Sequence, residues 1–367
     1  MPRRIKDGME PHHFQPHPPK QPKPNKGSFG GLPVTPEVGQ PYVNSKKEEV
    51  IKGNKTPLLQ RNAHSNDEHQ LQMAAPITFK GASIDKEYNY PIVPEKDLYK
   101  VRKLGEGAFG SVDLVVHRHT NQHLALKMVG DDAERRIECA KLIKIQRAVA
   151  RAGGNTENIV NLISLSRGRS DKKYALLEYG GLDILNSIEK DGLFKDEELK
   201  RTFFQAVKGI STLFQAGYQH HDIKPENILI NGKGIVKICD FGLAEKMAGN
   251  IQTGNGTPDY MPLEKVYELN NYHNDRADSW SLGCTFAEMR LGYPVMQVSD
   301  AMLKGQMLLH EAVKEIKTMR EKAYQQLLQQ EGEQAAELFA ALTKINPKYR
   351  LSPTEALEHP YFDSCYS

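Results

Sequence analysis

The 367-residue chain has few cysteines, a single tryptophan and no long apolar run. Its cysteines, Cys139, Cys239, Cys284 and Cys365, are far apart and form no C-x-x-C pair. This spacing indicates neither a disulfide framework nor a zinc site, and scattered thiols are typical of a reducing compartment. No segment approaches the ~18 consecutive apolar residues that a membrane span needs.

The charged start, MPRRIKDGMEPHHF, lacks the apolar core of a secretory signal. We therefore expect no membrane span and a cytoplasmic place of action. Composition leaves one alternative open, an uncleaved export signal that delivers an effector into a host cytosol.

The first 80 or so residues are poor in aromatic and branched apolar side chains and rich in Pro, Lys, His, Gln, Asn and Gly. Such a segment buries too little apolar surface to offset the entropy lost on ordering. Residues 1–61 hold eleven Lys or Arg against five Asp or Glu, although the whole chain carries only +3. We predict a disordered basic tail over 1–85, a candidate binding segment for a partner protein and not a nucleic-acid-binding domain.

Beyond the tail, apolar alternation predicts five short strands of one antiparallel sheet, at 99–104, 111–117, 124–129, 162–165 and 174–178, with 105–110 as a hairpin turn. Helical spacing over 133–152 predicts one helix between the third and fourth strands. Amphipathic helices follow over 197–215 and 308–342, and an apolar helix that contains Trp280 is predicted over 279–290. We therefore predict an α+β fold with two lobes, a small antiparallel sheet with one helix and a mainly helical lobe. A ligand would bind in the cleft between them.

The first chemical motif is G-E-G-A-F-G-S-V at 105–112. Glycines let a backbone approach phosphates closely. In dinucleotide-binding folds such glycines precede a helix, whereas here a strand follows them. The pattern therefore disfavours a dinucleotide-binding fold. Lys127 lies on the next apolar strand, where its ammonium needs an anionic partner. The phosphates of ATP together with a carboxylate would supply one.

Two further motifs carry acids. The loop H-H-D-I-K-P-E-N at 220–227 places Asp222, Lys224 and Asn227 close together in sequence. These groups suit phosphoryl transfer, with a base for the attacking hydroxyl, a cation for the phosphate and an amide oxygen for a metal. Asp240 begins D-F-G after a short apolar strand and is placed to hold Mg²⁺, which prefers oxygen ligands.

All four motifs in this order resemble those of the eukaryotic-type protein kinases, here over about 97–362. The resemblance implies ATP and Mg²⁺ as cofactors and a bilobal protein-kinase fold. It assigns catalysis to Asp222 as base with Lys224, and Asn227 and Asp240 as magnesium ligands. It also assigns Leu177 as gatekeeper and an aligning stack of Leu142, Leu162, His220 and Phe241. The implied nucleotide contacts are Gly105, Gly107, Gly110, Val112, Ala125, Lys127, Glu178, Gly180 and Leu229.

In the family, a glutamate of the first helix pairs with the lysine equivalent to Lys127. Glu138 is our choice because Leu142 lies one turn further on the same face. Glu134 is the alternative.

Three further matches separate a protein kinase from a small-molecule phosphotransferase. G-T-P-D-Y-M-P-L-E at 256–264 resembles the substrate-side loop, D-S-W-S-L-G at 278–283 the central helix, and 346–362 the last helices. The resemblance implies a buried ion pair between Glu264 and Arg350. Lys224 and Thr257 favour serine or threonine over tyrosine as the acceptor in a protein substrate.

The chain departs from the family at His221, where an arginine normally pairs with a phosphate on the activation loop. A histidine near its ordinary pKa of ~6.5 carries only a partial charge at pH 7. The loop from 243 to 256 offers one hydroxyl, that of Thr253. We predict that loop phosphorylation is not the on-switch. The rival hypothesis is a pseudokinase or scaffold that binds nucleotide and partner proteins, although Lys127, Asp222 and Asp240 are all present.

Overall fold

The computed structural model describes residues 83–85, 90–107, 110–128, 133–167, 173–247, 255–269 and 276–366. Thr253 and nearly all of the predicted tail lie outside the described residues. Within the described part of the chain, no helix is long and apolar enough to cross a membrane.

A seven-stranded sheet forms the first lobe. Its strands are β1 (Ser83–Asp85), β2 (Tyr90–Pro94), β3 (Leu98–Gly107), β4 (Gly110–His117), β5 (Gln122–Met128), β6 (Leu162–Arg167) and β7 (Lys173–Glu178), in the spatial order β1-β2-β6-β7-β5-β4-β3. All neighbours are antiparallel except β2 and β6, which are parallel. The helix α1 (Ala133–Arg151) lies between β5 and β6 in the chain.

The inner strand β5 presents different kinds of side chain to the two faces of the sheet. Leu124 and Leu126 point into a small core on one face with Val115 and Leu176. Ala125 and Lys127 alternate with them and line a cavity on the other face. Successive side chains of a strand point to opposite faces, so the sequence H-L-A-L-K places a lysine in the cavity and leucines in the core.

The second lobe is mainly helical. Its helices are α2 (Ile184–Asp191), α3 (Asp196–Gln215), α4 (Leu263–Val266), α5 (Ala277–Leu291), α6 (Asp300–Leu303), α7 (Leu309–Glu331), α8 (Glu333–Leu342) and α9 (Pro353–Leu357). Short strands complete it: β8 (Leu182–Asp183), β9 (Tyr218–Gln219), β10 (Ile228–Ile230), β11 (Val236–Ile238) and β12 (Glu245–Lys246). Every residue of α5 from 277 to 289 is buried, as expected for a helix at the centre of a lobe.

The two-lobed α+β prediction is confirmed, and the structure corrects four details. The last residues of the predicted tail, Ser83–Asp85, form a strand that pairs with β2. The sheet therefore has seven strands instead of five, and one of its pairs is parallel.

The third correction concerns the predicted turn, because β3 and β4 stay paired through Gly107 and Gly110. The fourth concerns the helix predicted over 308–342, which is two helices. Gly332 has a φ of +91° between α7 and α8 and breaks the helical path there.

Candidate active site

A cavity of about 340 Å³ lies between the two lobes. Most of the residues that the resemblance assigned to nucleotide binding or metal binding line this cavity. They are Gly105, Val112, Ala125, Lys127, Glu178, Gly180, Leu229, Asn227 and Asp240. Gly107 and Gly110 face each other at the end of the β3–β4 hairpin. The cavity therefore brings together residues that are separated by up to 135 positions in the chain.

Two glycines shape the segment that links the lobes. A Cβ at Gly180 would lie 2.6 Å from Leu229 Cδ1, and one at Gly181 would lie 2.1 Å from the carbonyl oxygen of Ile230. Gly181 also has a φ of +97°, which disfavours other residues. The close approach arises because β8 pairs with β10 directly after these glycines. Leu229 is thereby held against the cavity beneath the linking segment.

The side chain of Glu178, which follows Leu177, is anchored by Lys237 of the second lobe and by Asn161, which precedes β6. Lys237 Nζ on β11 lies 2.9 Å from its Oε1, and Asn161 Nδ2 donates to its Oε2 at 3.1 Å. The side chain of Lys237 is only 3% exposed. These bonds hold Glu178 at the start of the linking segment, whose residues 178–181 line the cavity.

Lys127 meets a carboxylate, as its burial requires. Its Nζ lies 3.1 Å from Asp240 Oδ1. Burial acts to raise the pKa of the Asp240 carboxyl, but the charge and hydrogen bond of Lys127 outweigh it, so that the pKa lies below its usual value. Asp240 is therefore ionised at neutral pH, the state that a metal ligand requires. Glu138 and Glu134 lie on α1, but their side chains are outside the described residues, so the choice between them stays a prediction.

The carboxylate of Asp222 is held from three directions. Thr257 donates to its Oδ1 through both the backbone N–H, at 3.1 Å, and the side-chain hydroxyl, at 2.7 Å. Asn227 Nδ2 donates to its Oδ2 at 3.0 Å, and Lys224 Nζ lies 3.2 Å from the same oxygen. Lys224 also donates to the Thr257 hydroxyl at 2.8 Å. Because the amide nitrogen of Asn227 faces Asp222, its amide oxygen is the atom left for a metal.

The loop that carries Asp222 is fixed from below by α5. Asp278 accepts hydrogen bonds from the backbone N–H groups of His220, at 2.6 Å, and His221, at 2.8 Å. The imidazole of His220 lies 2.8 Å from the Cys239 carbonyl, and its ring packs edge-on against Phe241 at 5.1 Å. Leu142, Leu162 and Phe241 belong to one buried cluster. The four residues of the expected aligning stack are thus all buried, and the stack itself stays a prediction.

The pKa of His221 is lower than expected, so that its ring does not carry the partial positive charge predicted for pH 7. Burial lowers its pKa to about 4, and the positive charge of Lys265 contributes, whereas Asp278 acts in the opposite direction. Its Nδ1 is buried and has no hydrogen-bond partner. The ring is therefore neutral at pH 7, and the family's cation at this position is absent.

The expected ion pair between Glu264 and Arg350 is confirmed. Arg350 Nη1 lies 2.7 Å from Glu264 Oε1 and Nη2 lies 3.2 Å from Oε2. Both side chains are almost completely buried. The pair anchors the end of the substrate-side segment to the helices near the C-terminus.

Sequence reasoning missed several polar residues at the site. Asp183 and Asn186 line the cavity at the start of α2, where Asp183 caps the helix by accepting from the Asn186 N–H. An Asp three residues before an Asn, ahead of an apolar helix, is a usable capping signal. Lys141 donates to the Gly242 carbonyl at 2.8 Å and ties α1 to the D-F-G segment. Lys265 was also missed, and no sequence pattern indicated it.

Beside one cavity lie a carboxylate held by hydrogen bonds, a buried lysine and oxygen atoms that suit a hard cation, and this set of groups fits a phosphotransferase site. The sequence model of the family described as protein kinase domain matches residues 98–362. The chain belongs to the protein kinase family, which confirms the resemblance, and members of this family use ATP and Mg²⁺.

The relatives found are mitogen-activated protein kinases of modest identity. The chain is 28% identical over 299 residues to mitogen-activated protein kinase 15 of Xenopus laevis, covering 73% of this chain and 51% of that protein. It is 27% identical over 287 residues to mitogen-activated protein kinase 7 of Arabidopsis thaliana, covering 71% and 77%. For mitogen-activated protein kinase spm1 of Cytospora mali the identity is 26% over 311 residues, covering 77% and 74%. The match spans about half the length of the Xenopus protein.

Proposed function

We propose that this chain transfers the γ-phosphoryl group of ATP to serine or threonine hydroxyls of a protein substrate, without needing phosphorylation of its own activation loop. The observation that carries the proposal is the environment of Asp222. Its carboxylate is fixed by Thr257, Asn227 and Lys224, and Asn227 lines the cavity that also holds Lys127 and Asp240.

The residues present fit a magnesium-bound nucleotide. Asp240 is ionised, and both it and the Asn227 amide offer oxygen to a hard cation. Lys127 is a buried ammonium that faces the same space. When bound, Mg²⁺ neutralises charge on the phosphates and orients them. Apolar groups of Val112, Ala125 and Leu229 supply a slot for a flat base.

Within this arrangement, each protein group has a separate task. Asp222 accepts the proton of the attacking hydroxyl, and its two oxygens are held so that no reorientation is needed at the moment of transfer. Lys224 lies beside Asp222 and Thr257, where its charge meets the group being transferred. The bond between Lys224 and Thr257 supports serine or threonine as acceptor, since this pair marks the substrate side of the loop in the family.

The test uses purified full-length protein, treated with a phosphatase and then incubated with Mg-ATP and a mixed protein extract. Phosphorylation sites are mapped by mass spectrometry. Asp222→Asn should lower transfer by about 10²–10⁴-fold while Mg-ATP still raises the melting temperature. Asp191→Asn, at the exposed end of α2, is the matched control and should match the wild type.

Three outcomes would contradict the proposal. Nucleotide binding without any transfer by the wild type would favour the pseudokinase or scaffold reading. Phosphorylation confined to tyrosine residues would contradict serine or threonine as the acceptor. For the loop, Thr253→Ala should keep full activity, and a loss of activity that Thr253→Glu restores would show that a loop switch exists.

A further inference from the structure

A buried lysine connects the two segments that meet at Asp222. Lys265 follows Glu264 on α4 and is 2% exposed. Its Nζ donates to the carbonyl oxygen of Asn255 at 2.8 Å and lies 3.4 Å from the carbonyl oxygen of His221. Asn255 belongs to the end of the activation loop, and His221 directly precedes the base. One ammonium therefore bridges the main chain of both segments.

The main chain of these segments is in close contact. Gly256 has a φ of +131°, and a Cβ at this position would lie 2.9 Å from the His221 carbonyl oxygen. Thr257 follows and donates twice to Asp222 Oδ1. Each residue of 255–257 is thus held against the catalytic loop: the first by Lys265, the second by close packing and the third by the base itself.

A buried charge at this place is costly and needs compensation. Burial lowers the pKa of the Lys265 ammonium, whereas the carboxylates of Asp278 and Asp222, followed by Glu245 and Glu264, act to raise it. The residue directly before Asp222 is not an arginine but His221, whose ring is neutral. Lys265, which follows the substrate-side segment 256–264 in the chain, supplies the cation at this junction instead.

We propose that Lys265 is a positioning residue for phosphoryl transfer: its ammonium fastens the end of the activation loop to the catalytic loop, and so replaces the link that an arginine and a loop phosphate provide in related kinases. The proposal rests on the kinase activity proposed above. It explains how the segment around Thr257 stays in contact with Asp222 without a covalent modification.

The experiment compares phosphatase-treated, full-length wild type with Lys265→Met, which keeps the length of the side chain and removes the charge, and with Lys265→Arg, which keeps the charge. Two readouts are taken per folded molecule: kcat and KM for ATP, and the hydrogen-exchange rate of the Thr257 amide. Arg320→Met is the matched control, because Arg320 also donates to a main-chain oxygen, that of Ala340, between α7 and α8.

Lys265→Met should lower kcat about 10–100-fold, since small misplacements of reacting groups cost up to about 10²-fold, while KM for ATP changes less than about twofold. Its Thr257 amide should exchange at least about tenfold faster, because the N–H loses its fixed partner. Lys265→Arg should recover part of kcat. Arg320→Met should leave both readouts unchanged, although its melting temperature falls.

If Lys265→Met does not fold, Lys265→Gln, which keeps a hydrogen-bond donor, takes its place with the same two readouts. An active wild type whose Lys265 variant has unchanged kcat and unchanged Thr257 exchange would overturn the role of Lys265 and leave the kinase function intact. An inactive wild type would overturn the kinase function, and the Thr257 exchange would still decide whether Lys265 fastens the loop.

Discussion

The helical side of the cavity holds its functional groups by directional hydrogen bonds, whereas the strand-rich side offers mainly apolar side chains and main chain. On the helical side, Asp222 has three polar neighbours and Asp278 holds the backbone beneath it. On the strand side, Val112 and Ala125 present aliphatic surface. The buried cation there, Lys127, meets a carboxylate that comes from the other lobe.

This difference follows from what each side has to do. A proton acceptor has to be placed within tenths of an ångström and in a fixed orientation, which hydrogen bonds can enforce. A flat base is recognised by the shape of its slot together with the main chain of the linking segment. The comparison therefore predicts that stability and pH dependence are concentrated in the helical lobe and that the strand-rich lobe tolerates more change.

The largest expected effect concerns the pair of Arg350 and Glu264. Arg350→Met leaves the Glu264 carboxylate buried without its partner, and such a change costs about 3–5 kcal/mol of the free energy of unfolding. Urea titration measures it. The exposed pair of Lys304 and Asp300 is the control, and Lys304→Met should show no measurable change. A loss below about 1 kcal/mol for Arg350→Met would show that this buried pair contributes no more than an exposed one.

A smaller effect is expected from His221 and pH. Its pKa is about 4 in the folded protein against 6.5 for an ordinary histidine, so between these values the unfolded chain takes up a proton that the folded chain does not. Stability therefore falls as the pH falls from about 6.5 to about 4, by no more than about 3 kcal/mol. The charges that act on the pKa of the ring are those of Asp278, which raises it, and of Lys265, His220 and Lys141, which lower it.

His221→Gln should remove this contribution, so that the stability of the wild type relative to the variant is constant above pH 7 and falls as the pH is lowered toward 4. Denaturant titrations at a series of pH values measure it, with the exposed His310→Gln as control. A difference that does not change with pH would show that the buried ring is not the source of the acid sensitivity.

The smallest effect is expected in the strand-rich lobe. The Tyr90 hydroxyl on β2 lies 2.8 Å from the Leu162 carbonyl and 3.1 Å from Gln146 Oε1 on α1. Tyr90→Phe should lower the free energy of unfolding by about 1 kcal/mol. It should not change how stability falls between about pH 6.5 and pH 4. Tyr99→Phe is the control, because Tyr99 is 62% exposed. A loss as large as that of Arg350→Met would remove the contrast between the lobes.

The secondary structure that surrounds the site was largely predictable. The helices α1, α3 and α5 have strong apolar periodicity or buried composition, and β3 to β7 alternate clearly, so local pattern and tertiary fold agree there. The motif residues around Asp222 and Asp240 could be placed because chemistry restricts their types. That these two motifs meet beside one cavity follows from the resemblance, and the spacing alone does not give it.

The remaining features depend on contacts between distant parts of the chain. Lys265 bonds carbonyl oxygens, and since every residue carries one, no sequence pattern marks its partners. The strand β2 contains Pro91 and Pro94, which weaken a strand signal, and it becomes a strand through parallel pairing with β6. The pKa of His221 depends on burial that the sequence does not display.

The paired glycines of the linking segment restrict how the cavity can change. A side chain at 181 would collide with the backbone of β10, and relief would require separating β8 from β10, whereas a side chain at 180 would displace the Leu229 side chain that lines the cavity. An inhibitor that makes its contacts with the main chain of these two positions would therefore meet a surface on which drug resistance cannot arise by simple substitution. Selection for resistance would be directed to other parts of the wall, such as Leu177.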